Sequence, residues 1–82
     1  MTGSIIVVNA SKQDVSAFVS KYSRSSADDN WFKVTAGTRD SWARDGWELV
    51  AFKNSNDTQR AGVYVPVNST VTFHDFGNIT HS

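Results

Sequence analysis

Apolar residues in this chain come in short runs, most of them alternating with polar neighbours, and each run ends in a cluster of Gly, Asn, Asp, Ser or Thr. That layout predicts an all-β fold, a small antiparallel β-sandwich of about six to seven short strands in a single domain over 1–82. The run at 4–10 is β-branched and nearly continuous. It predicts a strand covered on both faces, or one lying at an interface. The run at 14–22 reads two ways. Val15, Ala17 and Val19 keep the period of a strand. Val15, Phe18, Val19 and Tyr22 make a helical stripe behind Ser11-Lys12-Gln13-Asp14, which resembles a capping box. The strand reading is preferred because the neighbouring runs are strand-like.

Residues 23–30 are polar apart from Ala27 and form a loop. The strand at 31–35 places Phe32 and Val34 on one face and Trp31 and Lys33 on the other. Ala36-Gly37 turns the chain into a run at 38–43, and Arg44-Asp45-Gly46 carries the Asp-Gly signal of a tight hairpin. The next strand, 47–53, ends in the turn formers Asn54-Ser55-Asn56-Asp57-Thr58. In 62–67, Val63, Val65 and Val67 face one way and Tyr64 and Pro66 the other. Pro66 has no N–H to give, which predicts an edge strand or a strand end. After Asn68-Ser69, Val71 and Phe73 alternate with Thr72 and His74. The tail at 77–82 is short and polar apart from Ile79. No linker or internal repeat interrupts the 82 residues.

Charge and composition narrow the function classes. Eight Lys plus Arg balance eight Asp plus Glu, for a formal net charge of zero. Arg39, Arg44 and Arg60 are interspersed with acids, so no basic stripe for nucleic acid or polybasic patch for an acidic membrane is visible. With no cysteine, disulfides, thiolate catalysis and Cys-ligated zinc are excluded. The N-terminal residues do not read as a signal peptide or a membrane span, and together with the missing cysteine this predicts a cytosolic protein. Asn9, Asn56, Asn68 and Asn78 begin Asn-x-Ser/Thr sequons, expected by chance in a chain rich in those residues. So small a core gains from self-association, and zero net charge does not oppose it, so a homo-oligomer is expected.

Catalytic signatures are missing. There is no nucleophile elbow, zinc-protease helix, phosphate loop or dinucleotide fingerprint. His74 and Asp75 are adjacent in a predicted strand and point to opposite faces, and His81 lies at the tail. The chain is therefore read as a non-enzyme without a cofactor. Asp28-Asp29-Asn30 offers oxygen ligands without the spacing of a calcium loop, and reads as a solvated turn.

The densest group of chemistry-bearing residues runs from Thr38 to Glu48. In a strand over this stretch Asp40, Trp42 and Arg44 share one face. A ring that stacks on the C–H face of a pyranose, with Asp and Arg bonding its hydroxyls, makes a sugar site. Asp45 extends that set, Trp31 is placed to complete it, and Arg60 and Tyr64 join if their strand lies nearby. Trp47 carries two expectations: a place in this group, and a core position leading into Leu49 and Ala51. An aromatic-plus-Arg surface also suits a protein–protein interface.

In order along the chain, Ile-Val-Val-Asn, Ala-Phe-Val-Ser, Trp-Phe-Lys-Val-Thr-Ala-Gly, Asp-Ser-Trp-Ala-Arg-Asp-Gly-Trp-Glu, Val-Tyr-Val and Val-Thr-Phe resemble small cytosolic fungal β-sandwich proteins. These are the fruit-body lectins and, more distantly, actinoporin-like and aegerolysin-type proteins. The resemblance implies recognition of glycans or lipids by dimers or tetramers, and no single residue is carried over from it. The leading expectation is a non-catalytic carbohydrate-binding protein. A lipid-recognising or pore-forming-type protein is the alternative, and a self-assembling structural module is a third reading.

Overall fold

A computed structural model describes residues 3–82. Their alternating pattern folds into eight strands: β1 (Gly3–Asn9), β2 (Val15–Val19), β3 (Phe32–Val34), β4 (Arg39–Arg44), β5 (Glu48–Lys53), β6 (Arg60–Val65), β7 (Thr70–Asp75) and β8 (Asn78–His81). They form two four-stranded sheets, ordered β4-β1-β7-β8 and β3-β2-β5-β6, packed as a β-sandwich. The all-β expectation holds, and 14–22 yields a strand and no helix. Two details differ. The polar tail supplies β8 by folding back on β7, and β1 pairs with β7 in parallel while the other pairings are antiparallel.

Period-two burial builds the core. Ile5 and Val7 of β1, Val15, Ala17 and Val19 of β2, Val50 and Phe52 of β5, and Val71 and Phe73 of β7 all point between the sheets. Phe52 and Phe73 meet across the layers with ring centroids 4.9 Å apart. Burying each such side chain is worth about 1.5–3 kcal/mol. The β1 expectation is corrected in part. It is an inner strand, but Ile6 and Val8 on its other face stay half-exposed.

Asn9, fully buried at the end of β1, ties three segments together. Its Nδ2 donates to the carbonyls of Gln13 (2.8 Å) and Val34 (2.9 Å), and its Oδ1 accepts from the Ser11 amide (3.0 Å) and hydroxyl (2.6 Å). That side chain is already committed to the fold, which sets it apart from the other sequons.

The predicted Asp45-Gly46 hairpin is not formed. β4 pairs with β1 while β5 pairs with β2 and β6, so the chain crosses from one sheet to the other there. A two-residue primed turn needs positive φ at its centre. The only described residues with positive φ are Gly37, Asp57 and Asn68, and neither Asp45 nor Gly46 is among them. Residues 35–38 cross between layers in the same way. True hairpins join β5 to β6 and β7 to β8. β6 is an edge strand with Pro66 just beyond its end, as its sequence predicts.

Candidate functional site

β4 directs Trp42 and Arg44 into the molecule, so the face that they share is mostly an interior one. Trp42 is only 7% exposed and Arg44 only 2%. The Arg44 guanidinium is bound to main chain: Nε donates to the Ser20 carbonyl (2.7 Å), Nη1 to Ala43 (2.7 Å), and Nη2 to Val19 (2.9 Å) and Asp28 (2.5 Å). Burial pulls its pKa down, and the nearby Glu48 opposes that. Glu48 lies 3.9 Å from Arg44 Nε and is fully buried. It accepts from the Ser20 hydroxyl (2.5 Å), the amides of Tyr22 (2.9 Å) and Ser23 (2.8 Å), and the Ser23 hydroxyl. Burial alone would raise this carboxyl. The hydroxyl and amide donors outweigh it and hold Glu48 below its usual range. Together the two buried charges fasten residues 20–28 onto the sandwich.

Beside them lies an open groove of about 400 Å³ between edge strands β3 and β4, rimmed by Arg24, Ser26 and Asp28 from the loop. Its floor is the edge-on contact of Phe32 with Trp42, centroids 6.0 Å apart. Asp40 lies on the opposite rim, exposed, with Oδ1 taken by the Ser41 amide (2.8 Å). The structure thus brings Asp40, Trp42 and Arg44 together, as the strand period predicts. It also leaves the indole without an open face and most of the guanidinium's N–H groups occupied.

The most exposed tryptophan and its partner ring lie elsewhere, on the outer face of the β3-β2-β5-β6 sheet. Val50 and Phe52 point inward, so Leu49, Ala51 and Lys53 point out, opposite Tyr64, Gly62 and Arg60 of β6. Trp47 leads into this row and stacks on Tyr64, centroids 5.2 Å apart and planes inclined by 26°. They are 53% and 56% exposed, which corrects the core expectation for Trp47. The even-numbered positions that point inward in β4 keep doing so past the crossing at Asp45-Gly46, so Glu48 takes the inside position and Trp47 the outside.

A second aromatic station occupies the other end of the face. Trp31 packs on Phe18 with centroids 5.5 Å apart, and the cations of Lys53 and Arg60 lie 4.7 and 5.3 Å from its ring centre. Arg60 is held there by Asp57 through a two-point pair of 2.7 and 2.8 Å. Between the stations Ala51 and Gly62 pair, which keeps the sheet surface low. A Cβ at Gly62 would come within 3.2 Å of the Val50 carbonyl and 3.3 Å of Leu49 Cδ1.

The residues singled out in the sequence thus fall into two groups. Asp40, Trp42 and Arg44 belong to the groove and its wall. Trp31, Trp47 and Arg60 belong to the outer face, joined there by Tyr64. Asp45 sits in the crossing beside Trp47, its carboxylate gripped by Arg24 at 2.8 and 3.1 Å and lowered in pKa by that pairing. Lys53 as a cation over Trp31 was missed, although its period-two distance from Ala51 and Leu49 places it on that face. Among the described residues no cluster of His, Cys, Asp or Glu is arranged to hold a metal ion, and no helix is long and apolar enough to cross a membrane. No family model, curated protein or solved structure matches the chain.

Proposed function

We propose that the protein binds carbohydrate without catalysis, on the outer face of the β3-β2-β5-β6 sheet. The observation that supports this reading is the Trp47–Tyr64 stack, more than half exposed on both rings. Large rings left in water on so small a domain are out of place unless something covers them. The C–H face of a pyranose is a suitable cover, because it is apolar while its hydroxyls stay at the rim. The indole N–H and the Tyr64 hydroxyl are polar tips beside those faces. Asp45 stands in the adjoining crossing, paired with Arg24 of the loop after β2. Trp31, with Lys53 and Arg60, offers a second station along the same strands. Tyr64 lies four positions beyond Arg60, or about 13 Å at about 3.3 Å per residue. That spacing favours an oligosaccharide over a single ring.

The test is a glycan array with and without calcium, followed by titration of any ligand found into Trp47→Ala and Trp42→Phe proteins. Saturable binding lost with Trp47 and kept in the Trp42 variant supports the assignment. A blank array at high protein concentration removes it.

One observation favours membrane recognition as a second reading. Tyr22 is 73% exposed and follows β2 at the same end of the sheet as Trp47 and Tyr64. Trp and Tyr are favoured at a lipid interface. Co-sedimentation with vesicles that free sugar does not compete would select this reading.

A further inference from the structure

A β-sandwich of two open sheets has four edge strands, and an unprotected edge is a template for another chain. Here three edges are guarded. β3 has three residues and β8 has four, next to an irregularity in β7. On β4 the chain interrupts its own edge. The bonds Asn9 N to Thr38 O, and Ile6 N to Ser69 O on the opposite side of β1, set the alternation, so Asp40, Trp42 and Arg44 bond to β1 while Arg39, Ser41 and Ala43 face outward. The outward Ser41 amide is taken by Asp40, and the outward Ala43 carbonyl by Arg44.

β6 has no such guard among the described residues. It is six residues long, has no internal proline, and its only charge is Arg60 at its first position. Asn54 N donates to Gln59 O at 3.2 Å, and Ser20 N to Leu49 O at 2.9 Å on the far side of β5. That alternation turns Ala61, Val63 and Val65 toward β5, and leaves the main-chain groups of Arg60, Gly62 and Tyr64 pointing away from the sheet.

We propose that this edge is a homodimer interface, in which β6 pairs antiparallel with β6 of a second copy about a twofold axis at Gly62. Among the symmetric registers, only this one sets all three outward residues against one another. Shifting it one way brings Pro66, which has no N–H, opposite Arg60. Shifting it the other way leaves Tyr64 opposite Thr58 in the turn. Centred on Gly62, the pairing makes about six main-chain hydrogen bonds. On the outer face the apolar stem of Arg60, its guanidinium held by Asp57 beside Trp31, lies against Tyr64 of the second copy, a contact that is repeated by symmetry. On the inner side Ala61 meets Val63, apolar against apolar. The partner is therefore this chain itself, and the two sheets join into one of eight strands. The proposal stands without the glycan reading. Where both hold, the aromatic stations of two copies lie along one continuous face, which is the multivalency a weak site needs.

The experiment is mass by light scattering and sedimentation on the native chain, on Tyr64→Arg and on Tyr64→Glu, with circular dichroism to verify folding. The native protein is expected at twice the monomer mass. Tyr64→Arg sets like charges opposite each other and is expected to be monomeric, whereas Tyr64→Glu faces Arg60 and is expected to stay dimeric. Register is read separately in a chain that has no cysteine of its own. A mixture of Ala61→Cys and Val63→Cys proteins is expected to cross-link on oxidation, and neither variant alone. A monomer mass for the native chain up to about 1 mM, near the weak limit of specific association, overturns the proposal. A dimer indifferent to both Tyr64 changes, or cross-linked equally by either cysteine variant alone, overturns this interface.

Discussion

Two tryptophans five positions apart on the chain have opposite fates. Trp42 is nearly covered, closing the side of the sandwich with Phe32 against its edge. Trp47 lies open on the outer face, stacked on Tyr64. Their local sequences are alike, each preceded and followed by polar or small residues. What separates them is parity. Trp42 and Arg44 point inward, and the crossing at Asp45-Gly46 carries the chain to the other sheet with Glu48, Val50 and Phe52 keeping that even-numbered parity. Trp47, an odd number of positions from Trp42, is left facing out. Trp42 belongs to the folding problem, Trp47 to the proposed binding face.

The distinction is easiest to break by alanine. Trp42→Ala is expected to destabilise the fold by about 3–5 kcal/mol, read as a lower urea midpoint. For Trp47→Ala the expected loss is about 1 kcal/mol, the stacking on Tyr64. Equal losses from the two would erase the contrast. A comparable effect is expected from Arg44→Ala, about 3–5 kcal/mol, because Glu48 is then buried without its partner. Replacing both, Arg44→Met with Glu48→Leu, should recover much of that loss, and no recovery would show that the carbonyl bonds of Arg44 matter more than the ion pair.

Acid sharpens the comparison next. Glu48 is held below its usual range in the folded state, so the unfolded chain takes up the proton first as pH falls. Its stabilising contribution is complete above the ordinary glutamate range, near pH 4.5, and is lost as pH drops through the lower folded value. Asp14, Asp45 and Asp57 are lowered too, each through a hydrogen-bonding donor, and act in the same direction. Thermal midpoints are expected to fall below about pH 4.5, and to fall less steeply in Glu48→Gln. A parallel decline in both proteins would remove Glu48 from that role. The smallest stability change is expected from Asp45→Asn, whose partner Arg24 is on the surface. Its melting midpoint should fall only slightly, and the larger effect should appear in glycan binding.

Much of the fold is legible in the residues. Val15, Ala17 and Val19 mark one face of β2, Val50 and Phe52 one face of β5, and Pro66 the limit of β6. Local patterning reports the facing of side chains within a strand, so these features survive. It does not report which strand a run pairs with. The Asp-Gly pair therefore promised a hairpin that the layered topology replaces with a crossing, and Trp47 was assigned to the wrong side. β8 was invisible because Asn78-Ile79-Thr80-His81 has one apolar residue and depends on β7 for its order. The candidate site was legible in composition and not in grouping. Strand parity joined Asp40, Trp42 and Arg44 correctly but could not tell inside from outside. Trp31, Trp47 and Arg60 are expected from the sequence in that same site, and their separation onto the outer face depends on the pairing of β2, β5 and β6.

The position of β1 has a consequence for synthesis. It is an inner strand, flanked by β4 on one side and by β7 on the other. During translation β1 emerges early, and its second neighbour is made only when residues 70–75 leave the ribosome. Until then Ile5 and Val7 have no complete sheet to enter, and the parallel edge of β1 stays open while the other sheet, whose strands end at Val65, can already assemble. A chain stalled short of β7 should present that open edge, and it is the form most in need of a chaperone.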